Sequence, residues 1–294
     1  MNFLLLEKYP FIDIKYLDYL ISRGHNIIKN WDVYDYNSID ATISNIKIID
    51  SAVLNQFPNL KYVCRTWVWL DMIDLEAAKI RWIKVINTPL ANFSSVSDIA
   101  IWGIIWLLRK TYLDFKTLDD GFKFFGRELS EVKVWILWFW NIWREIYFKL
   151  KWFWVNSFEI YDPFCDKETI EQNEKCKKIN SNKNIYKNCN VIIFTLPLFP
   201  ETKHILWWKD FNLLKNDTIL VNISRWWILD EDWLVKFLKE NPESWAYLDV
   251  REDEPNAPRK DLKELINCII TPHIWAMTNK AYKNMHYFKE LDKN

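Results

Sequence analysis

Apolar runs and amphipathic stretches alternate along most of the chain. Residues 3–6 (FLLL) are short and fully apolar, which predicts a buried strand. A helical pattern follows, with apolar positions Ile14, Leu17, Leu20 and Ile21 and Gly24 placed to close it. Further short runs at 46–49, 62–64 and 85–87 predict three more strands. Residues 94–108 form a long apolar helix whose one charge is Asp98. Such a helix is buried on most sides, in a domain seam or a subunit interface.

A second series of strands is predicted at 132–137 (VKVWIL), 158–161 (FEIY), 191–194 (VIIF), 219–223 (ILVNI), 246–250 (AYLDV) and 268–271 (CIIT). Six strands with helices between them match the count of a doubly wound parallel sheet. The polar, Lys- and Asn-rich residues 166–188 predict a solvated helix and loop, and 279–291 an amphipathic helix returning to the first domain.

Lysine plus arginine and aspartate plus glutamate number 39 each, so no charge imbalance points to nucleic acid or an anionic membrane. No basic segment precedes a long apolar run at the N-terminus, and the longest apolar runs are about half a membrane span. Five scattered cysteines without a Cys-x-x-Cys pair suit a reducing cytoplasm and argue against a metal site. One feature is abnormal: 19 tryptophans against 4 glycines. Ordinary glycine usage of about 7% predicts roughly 20 in a chain of this length. Tryptophan therefore stands in the numbers where glycine is expected. A truly aromatic protein, such as a carbohydrate binder, would have to make its turns almost without glycine.

Residues 134–143 read VWILWFWNIW. With glycine for tryptophan this becomes a G-x-G-x-x-G turn between a strand and a helix. Position 138 would make the tight turn, 140 would let the backbone approach a pyrophosphate, and 143 would let helix and strand pack closely. Asn141 and Ile142 open the helix that faces the anion. Asp162 ends the next strand, where an acid hydrogen-bonds ribose hydroxyls and favours NAD over NADP.

Three more stretches carry chemistry: NISRWWILDEDW at 222–233, AYLDVREDEP at 246–255 and TPHIWA at 271–276. Here the chain resembles the D-isomer-specific 2-hydroxyacid dehydrogenases, a family that includes D-3-phosphoglycerate dehydrogenase. The likeness extends to CRTWVWLDMIDLEAA at 64–78, RWIKVINTP at 81–89, NFSSVSD at 92–98 and TLPLFPET at 195–202. Thirteen tryptophans fall where the family usually has glycine: Trp67, Trp69, Trp82, Trp135, Trp138, Trp140, Trp143, Trp154, Trp226, Trp227, Trp233, Trp245 and Trp275. A gene whose UGA codons mean glycine, read as tryptophan, would produce this pattern.

The resemblance implies an α/β protein of two Rossmann-like doubly wound domains. The NAD-binding domain (93–276) is inserted into a split substrate domain (1–92 plus 277–294). It implies NAD as cofactor, a small 2-hydroxy or 2-keto acid as substrate, and a homodimer. His273 would supply the proton, since histidine titrates nearest the working range. Glu254 would hold its tautomer. Arg225 would grip the substrate carboxylate and polarise its carbonyl, with backbone amides at Val68 and Trp69 on the other carboxylate edge. The cofactor set is Trp138, Trp140, Asn141, Ile142, Trp143, Asp162, Thr195, Pro197, Thr202, Ile223, Ser224 and Asp249, the last near the nicotinamide amide.

Met72, Ser97, Asp98 and Thr195 depart from the usual family residues, which leaves the substrate open. A glyoxylate or hydroxypyruvate reductase and a non-enzymatic NAD-sensing regulator are the alternatives. Read literally, with its tryptophans, the chain is expected to be inactive.

Overall fold

The computed structural model describes residues 1–7, 14–45, 47–66, 68, 70–111, 125–138, 141–181, 183–254, 256–285, 287–288 and 291. Two compact units divide the chain: Met1–Asn92 with Ala276–Asn294, and Phe93–Trp275.

The first unit holds a parallel sheet of β1 (Asn2–Leu5), β2 (Asn26–Lys29), β3 (Ala41–Ser44), β4 (Tyr62–Arg65) and β5 (Lys84–Ile86), in the order β2-β1-β3-β4-β5. Strand alternation sends Phe3, Leu5, Ile43 and Cys64 to one face, against Tyr16, Leu20, Phe288 and Leu291. Leu4 and Val63 go to the other, against Leu54, Phe57 and Ala78. Both faces are covered, as a doubly wound sheet requires.

The strand expected at 46–49 lies earlier in the chain, at Ala41–Ser44, and Ile49 makes only an isolated bridge to Ile73. Ala41, Thr42, Ile43 and Ser44 are all buried between β1 and β4. Small and hydroxylated residues fit that tight position without forming a long apolar run. Ile48, by contrast, is exposed. Edge strand β2 was not expected. The C-terminal helix runs Asn279–Met285, and residues 286, 289, 290 and 292–294 lie outside the described set.

The second unit is a seven-stranded parallel sheet: β6 (Val134–Leu137), β7 (Phe158–Tyr161), β8 (Cys176–Lys178), β9 (Val191–Phe194), β10 (Ile219–Asn222), β11 (Trp245–Leu248) and β12 (Cys268–Ile270). Their order is β12-β11-β10-β9-β6-β7-β8. The chain steps outward from β6 through β7 to β8, then returns to β9 on the other side, which is the dinucleotide-type switch. Six of the strands were expected. The seventh, β8, falls in the segment expected as solvated helix and loop. It is an edge strand, Cys-Lys-Lys, whose lysines mark an exposed edge rather than a core run.

The apolar helix Phe93–Leu108 covers β10 and β11 of its own unit. At Gly103 a β-carbon would come within 2.6 Å of the Tyr247 ring, so glycine permits that close approach. Lys149 ties this helix to the helix Asn141–Trp152, donating to Ser97 Oγ at 2.6 Å and pairing with Asp98 at 2.7 Å. Among the described residues no helix is long and apolar enough to cross a membrane.

Three helix ends share one geometry. After Ile14–Ser22, Gly24 (φ +80°) donates to the Ile21 carbonyl and His25 to that of Leu20. After Leu75–Ile80, Trp82 (φ +58°) donates to Lys79 and Ile83 to Ala78. After Asn141–Trp152, Trp154 (φ +64°) donates to Lys151 and Val155 to Leu150. Each is a Schellman motif, whose left-handed residue is ordinarily glycine. One of the three carries glycine and two carry tryptophan.

Candidate active site

Parallel register places the ends of six strands in one row. Leu137 pairs with Tyr161 and Phe194, Phe194 with Asn222, Asn222 with Leu248, and Leu248 with Ile270. The residues that follow these row members are Trp138, Thr195, Ile223, Asp249, Thr271 and Asp162. The sheet thus brings five of the twelve expected cofactor residues, Trp138, Asp162, Thr195, Ile223 and Asp249, to one carboxyl-terminal edge, where open α/β sheets bind ligands.

At the β6 end, Trp138 has φ +80°, in the left-handed region that favours glycine. Its amide donates to the Tyr161 carbonyl at 2.9 Å. Its indole, 4% exposed, lies edge-on to Phe164 at 5.2 Å, just past the β7 end. Trp140 lies outside the described residues. Asn141 and Ile142 open the helix Asn141–Trp152, and Trp143 is buried in it, stacked on Tyr147 at 5.4 Å. Asp162 is 2% exposed, and its Oδ1 accepts from the amides of Phe164 and Cys165 at 2.7 and 3.1 Å. Thr195 Oγ1 donates to the Leu137 carbonyl at 2.6 Å and so fastens the β9 end to the β6 turn. Thr202 Oγ1 donates to the Pro197 carbonyl at 2.7 Å, closing the 197–202 turn.

The β10 turn is organised by Asn222, which the sequence reading quoted in a motif but gave no role. Its Oδ1 accepts from the Ser224 amide and hydroxyl at 3.1 and 2.8 Å, and its Nδ2 donates to the Arg225 carbonyl at 3.0 Å. A buried amide between a strand and Ser-Arg is the signal that could have found it. Ile223 and Ser224 are buried inside this turn, and Arg225 is 7% exposed with Nη1 donating to the Ser224 carbonyl at 2.8 Å.

The clearest chemical pair joins the β11 and β12 loops. His273 Nδ1 lies 2.7 Å from Glu254 Oε2. The other carboxylate oxygen of Glu254 accepts from the Arg251 amide at 3.0 Å, so both oxygens are held. His273 itself has φ +54°, and its amide donates to the Thr271 carbonyl at 3.0 Å. A left-handed histidine stores roughly 1–3 kcal/mol of strain, and such strain concentrates at functional sites. Asp249, fully buried, has its oxygens on the Ile274 and Trp275 amides (2.9 and 2.8 Å) and on the Thr271 hydroxyl (2.5 Å). Burial pushes its carboxyl above the usual range, against these hydrogen bonds. It therefore clamps the turn that bears His273. Thr271 is the second residue the sequence reading missed.

Val68 belongs to the first unit, where its carbonyl accepts from Asn87 Nδ2 at 2.5 Å. Trp67 and Trp69 lie outside the described residues.

The sheet order and the edge row define a dinucleotide-binding α/β fold. The profile of the D-isomer specific 2-hydroxyacid dehydrogenase family, NAD binding domain, matches residues 106–274. That is more than half of the chain, and the chain belongs to this family. D-3-phosphoglycerate dehydrogenase of Archaeoglobus fulgidus is 32% identical over 241 residues, covering 81% of this chain and 45% of that protein. Glyoxylate reductase of Thermococcus litoralis is 29% identical over 248 residues, covering 81% of this chain and 74% of that protein. The chain spans less than half the length of the phosphoglycerate dehydrogenases it matches. D-lactate dehydrogenase from Aquifex aeolicus, solved with NAD and lactic acid, has the same fold (TM-score 0.80, 23% identity, 100% of this chain and 93% of that one).

NAD is the cofactor of this family's nucleotide domain. The main chain here fits it: a left-handed turn residue after β6, a helix N-terminus and an acid at the β7 end. The Trp138 side chain does not fit: at a turn position that favours glycine it puts a buried indole against Phe164, two residues from Asp162.

Proposed function

We propose that the chain is an NADH-dependent oxidoreductase of the cytoplasm, interconverting a 2-keto acid and its D-2-hydroxy acid. The observation that carries this is the 2.7 Å His273–Glu254 contact at the carboxyl edge of an NAD-family sheet. The nicotinamide supplies the hydride when bound. His273 gives the proton to the new hydroxyl through Nε2 while Glu254 holds Nδ1 and orients the ring. Arg225 pairs with the substrate carboxylate and draws charge from the carbonyl.

The helix at Asn141 and Ile142 takes the pyrophosphate, and Asp162 the ribose hydroxyls. Thr195, Pro197, Thr202, Ile223, Ser224 and Asp249 complete the cofactor side. By resemblance, 1–92 with 277–294 is the substrate domain, and amides at Val68 and position 69 bind the carboxylate. The substrate is 3-phosphoglycerate or glyoxylate, the acids in the names of the two relatives, or hydroxypyruvate. The same resemblance assigns a homodimer built on 93–276.

Most of the tryptophans in this chain are glycines in the native protein, decoded from UGA. Among the described residues, three of the seven non-glycine residues with positive φ are Trp82, Trp138 and Trp154. Two of these occupy the same Schellman position as Gly24. Trp135 adds a second line of support. It is buried in the middle of the sheet, and its Nε1 has no acceptor among the described residues. An indole N–H buried without a partner is disfavoured by roughly 1–3 kcal/mol. The test is NADH oxidation by the glycine-restored chain with a panel of 2-keto acids. Turnover with at least one of them is expected, and its absence with all of them would remove the functional reading.

A further inference from the structure

We propose that Glu231 is a positioning residue for the His273–Glu254 pair: its buried carboxyl holds the Glu252 amide and so sets the turn that presents Glu254. The proposal rests on the functional reading above only for its effect on turnover. Glu231 opens the helix Glu231–Glu240, whose start is fixed by Asp230 Oδ1 accepting from the Trp233 amide at 3.1 Å. It is 2% exposed, rare for a glutamate, and its Oε1 accepts from Glu252 N at 2.8 Å. Its Oε2 has no hydrogen-bond partner among the described residues. The buried carboxyl therefore has one structural task, and that task is on the 251–254 turn.

That turn is otherwise lightly held. Arg251 grips Asp253 and the Asn256 carbonyl, which lie in the same loop. Glu252 turns its side chain to His204 at 3.3 Å, on a separate loop. Glu254 reaches back to the Arg251 amide and forward to His273. Of these contacts, only the one from Glu231 ties the turn's backbone to a regular helix. Releasing it frees the amide two residues before Glu254, and a carboxylate that must meet an imidazole at hydrogen-bond distance loses its placement.

The titratable groups facing Glu231 are Glu252 and Asp253 on the turn, Arg259 beyond it and Cys268 on β12, while Asp230 and Asp232 flank it along the chain. Burial, reinforced by Glu252 and Asp253, raises its carboxyl to about 7. A neutral acceptor of the same shape, glutamine, can therefore replace it.

The experiment compares Glu231→Ala and Glu231→Gln in the full chain made with the residues its native code specifies. Amide hydrogen exchange at Glu252 and the His273 ring resonances are read by NMR, and kcat and KM with NADH and a 2-keto acid by absorbance. In the alanine variant, Glu252 should lose protection, the His273 resonances should move, and kcat should fall at least about tenfold with KM nearly unchanged. The glutamine variant should keep protection and recover most of kcat. An alanine variant with normal protection and kcat would overturn the proposal, as would a glutamine variant as impaired as alanine. If the parent turns over no 2-keto acid, the functional reading falls, and the exchange and ring resonances still decide the role of Glu231.

Discussion

The β6 turn and the β12 turn sit on the same sheet edge, and they differ in one respect. At the β12 turn the backbone and the side chains agree: His273 adopts a left-handed φ, and Asp249 and Glu254 hold it there. At the β6 turn the backbone is equally shaped, with φ +80° at 138, but the side chain is an indole where the shape calls for a hydrogen atom. Strand register and hydrophobic pattern fix the path of the chain in both places. Chemistry also needs the right group at each point on that path, and the β6 turn lacks it as written.

The largest expected effect restores the agreement. Replacing Trp138, Trp140 and Trp143 by glycine should create NADH binding, which the tryptophan chain is expected to lack, read by nicotinamide fluorescence. Each indole carries on the order of 200 Å² of surface, and glycine at these positions removes that bulk from the turn and from the start of its helix. Native peptide masses matching tryptophan at these positions would break the comparison.

The matching change at the other turn is His273→Ala. It should lower kcat by about 10²- to 10⁴-fold, the usual range for losing a general acid. NADH affinity should stay within a few-fold, because the β6 turn is untouched. Equal loss of affinity and turnover would mean that His273 shapes the cofactor site rather than moving a proton.

Glu231 tests the loop between these extremes. Its carboxyl is raised from the usual 4.5 to about 7, chiefly by burial. An acid with a raised folded pKa lends its stability below its unfolded pKa, and that stability fades as pH rises through the folded value. Between about pH 4.5 and 7 the parent should therefore lose up to about 3 kcal/mol that Glu231→Gln does not lose. Denaturant unfolding of both chains at pH 5 and 8 reads the difference, and a constant gap across that range would contradict it.

Asp162→Ala should narrow a preference for NADH over NADPH by roughly tenfold, because the removed charge opposes a ribose phosphate. Steady-state rates with both cofactors check this.

Much of this site was legible because its residues come in ordered motifs at strand ends. Six of the seven strands of the second unit were read from apolar runs, since central parallel strands are continuously hydrophobic. Strand β8 was not, because an exposed edge strand of Cys-Lys-Lys carries no such run. In the first unit β3 was misplaced, because Ala41 to Ser44 is buried by small and hydroxylated residues. Asn222, Thr271 and Glu231 escaped for another reason. Their importance lies in hydrogen bonds to backbone atoms brought close by folding, and no spacing along the chain announces those bonds. The backbone angles at 82, 138 and 154 were likewise invisible in sequence, although the missing glycines hinted at them.

The smallest expected effect is the cleanest test of the glycine reading. Trp82 is 93% exposed, so its removal sacrifices almost no packing. Its φ of +58° places the β-carbon against the backbone, at a cost of roughly 1–2 kcal/mol for an L-residue. Glycine removes that strain but adds freedom to the unfolded chain, which takes back about 0.4–1 kcal/mol. The net expectation for Trp82→Gly is a stabilisation of up to about 1.5 kcal/mol, read as a rise of a few degrees in melting temperature, at about 2–4 °C per kcal/mol. Gly24→Trp is the reciprocal change at an equivalent helix end, where no atom lies within 4 Å of the added β-carbon. It should destabilise by a similar amount and for the same reason. Opposite signs at the two positions would show that the backbone at 82 was shaped for glycine. A destabilising Trp82→Gly would instead mean that the indole belongs there.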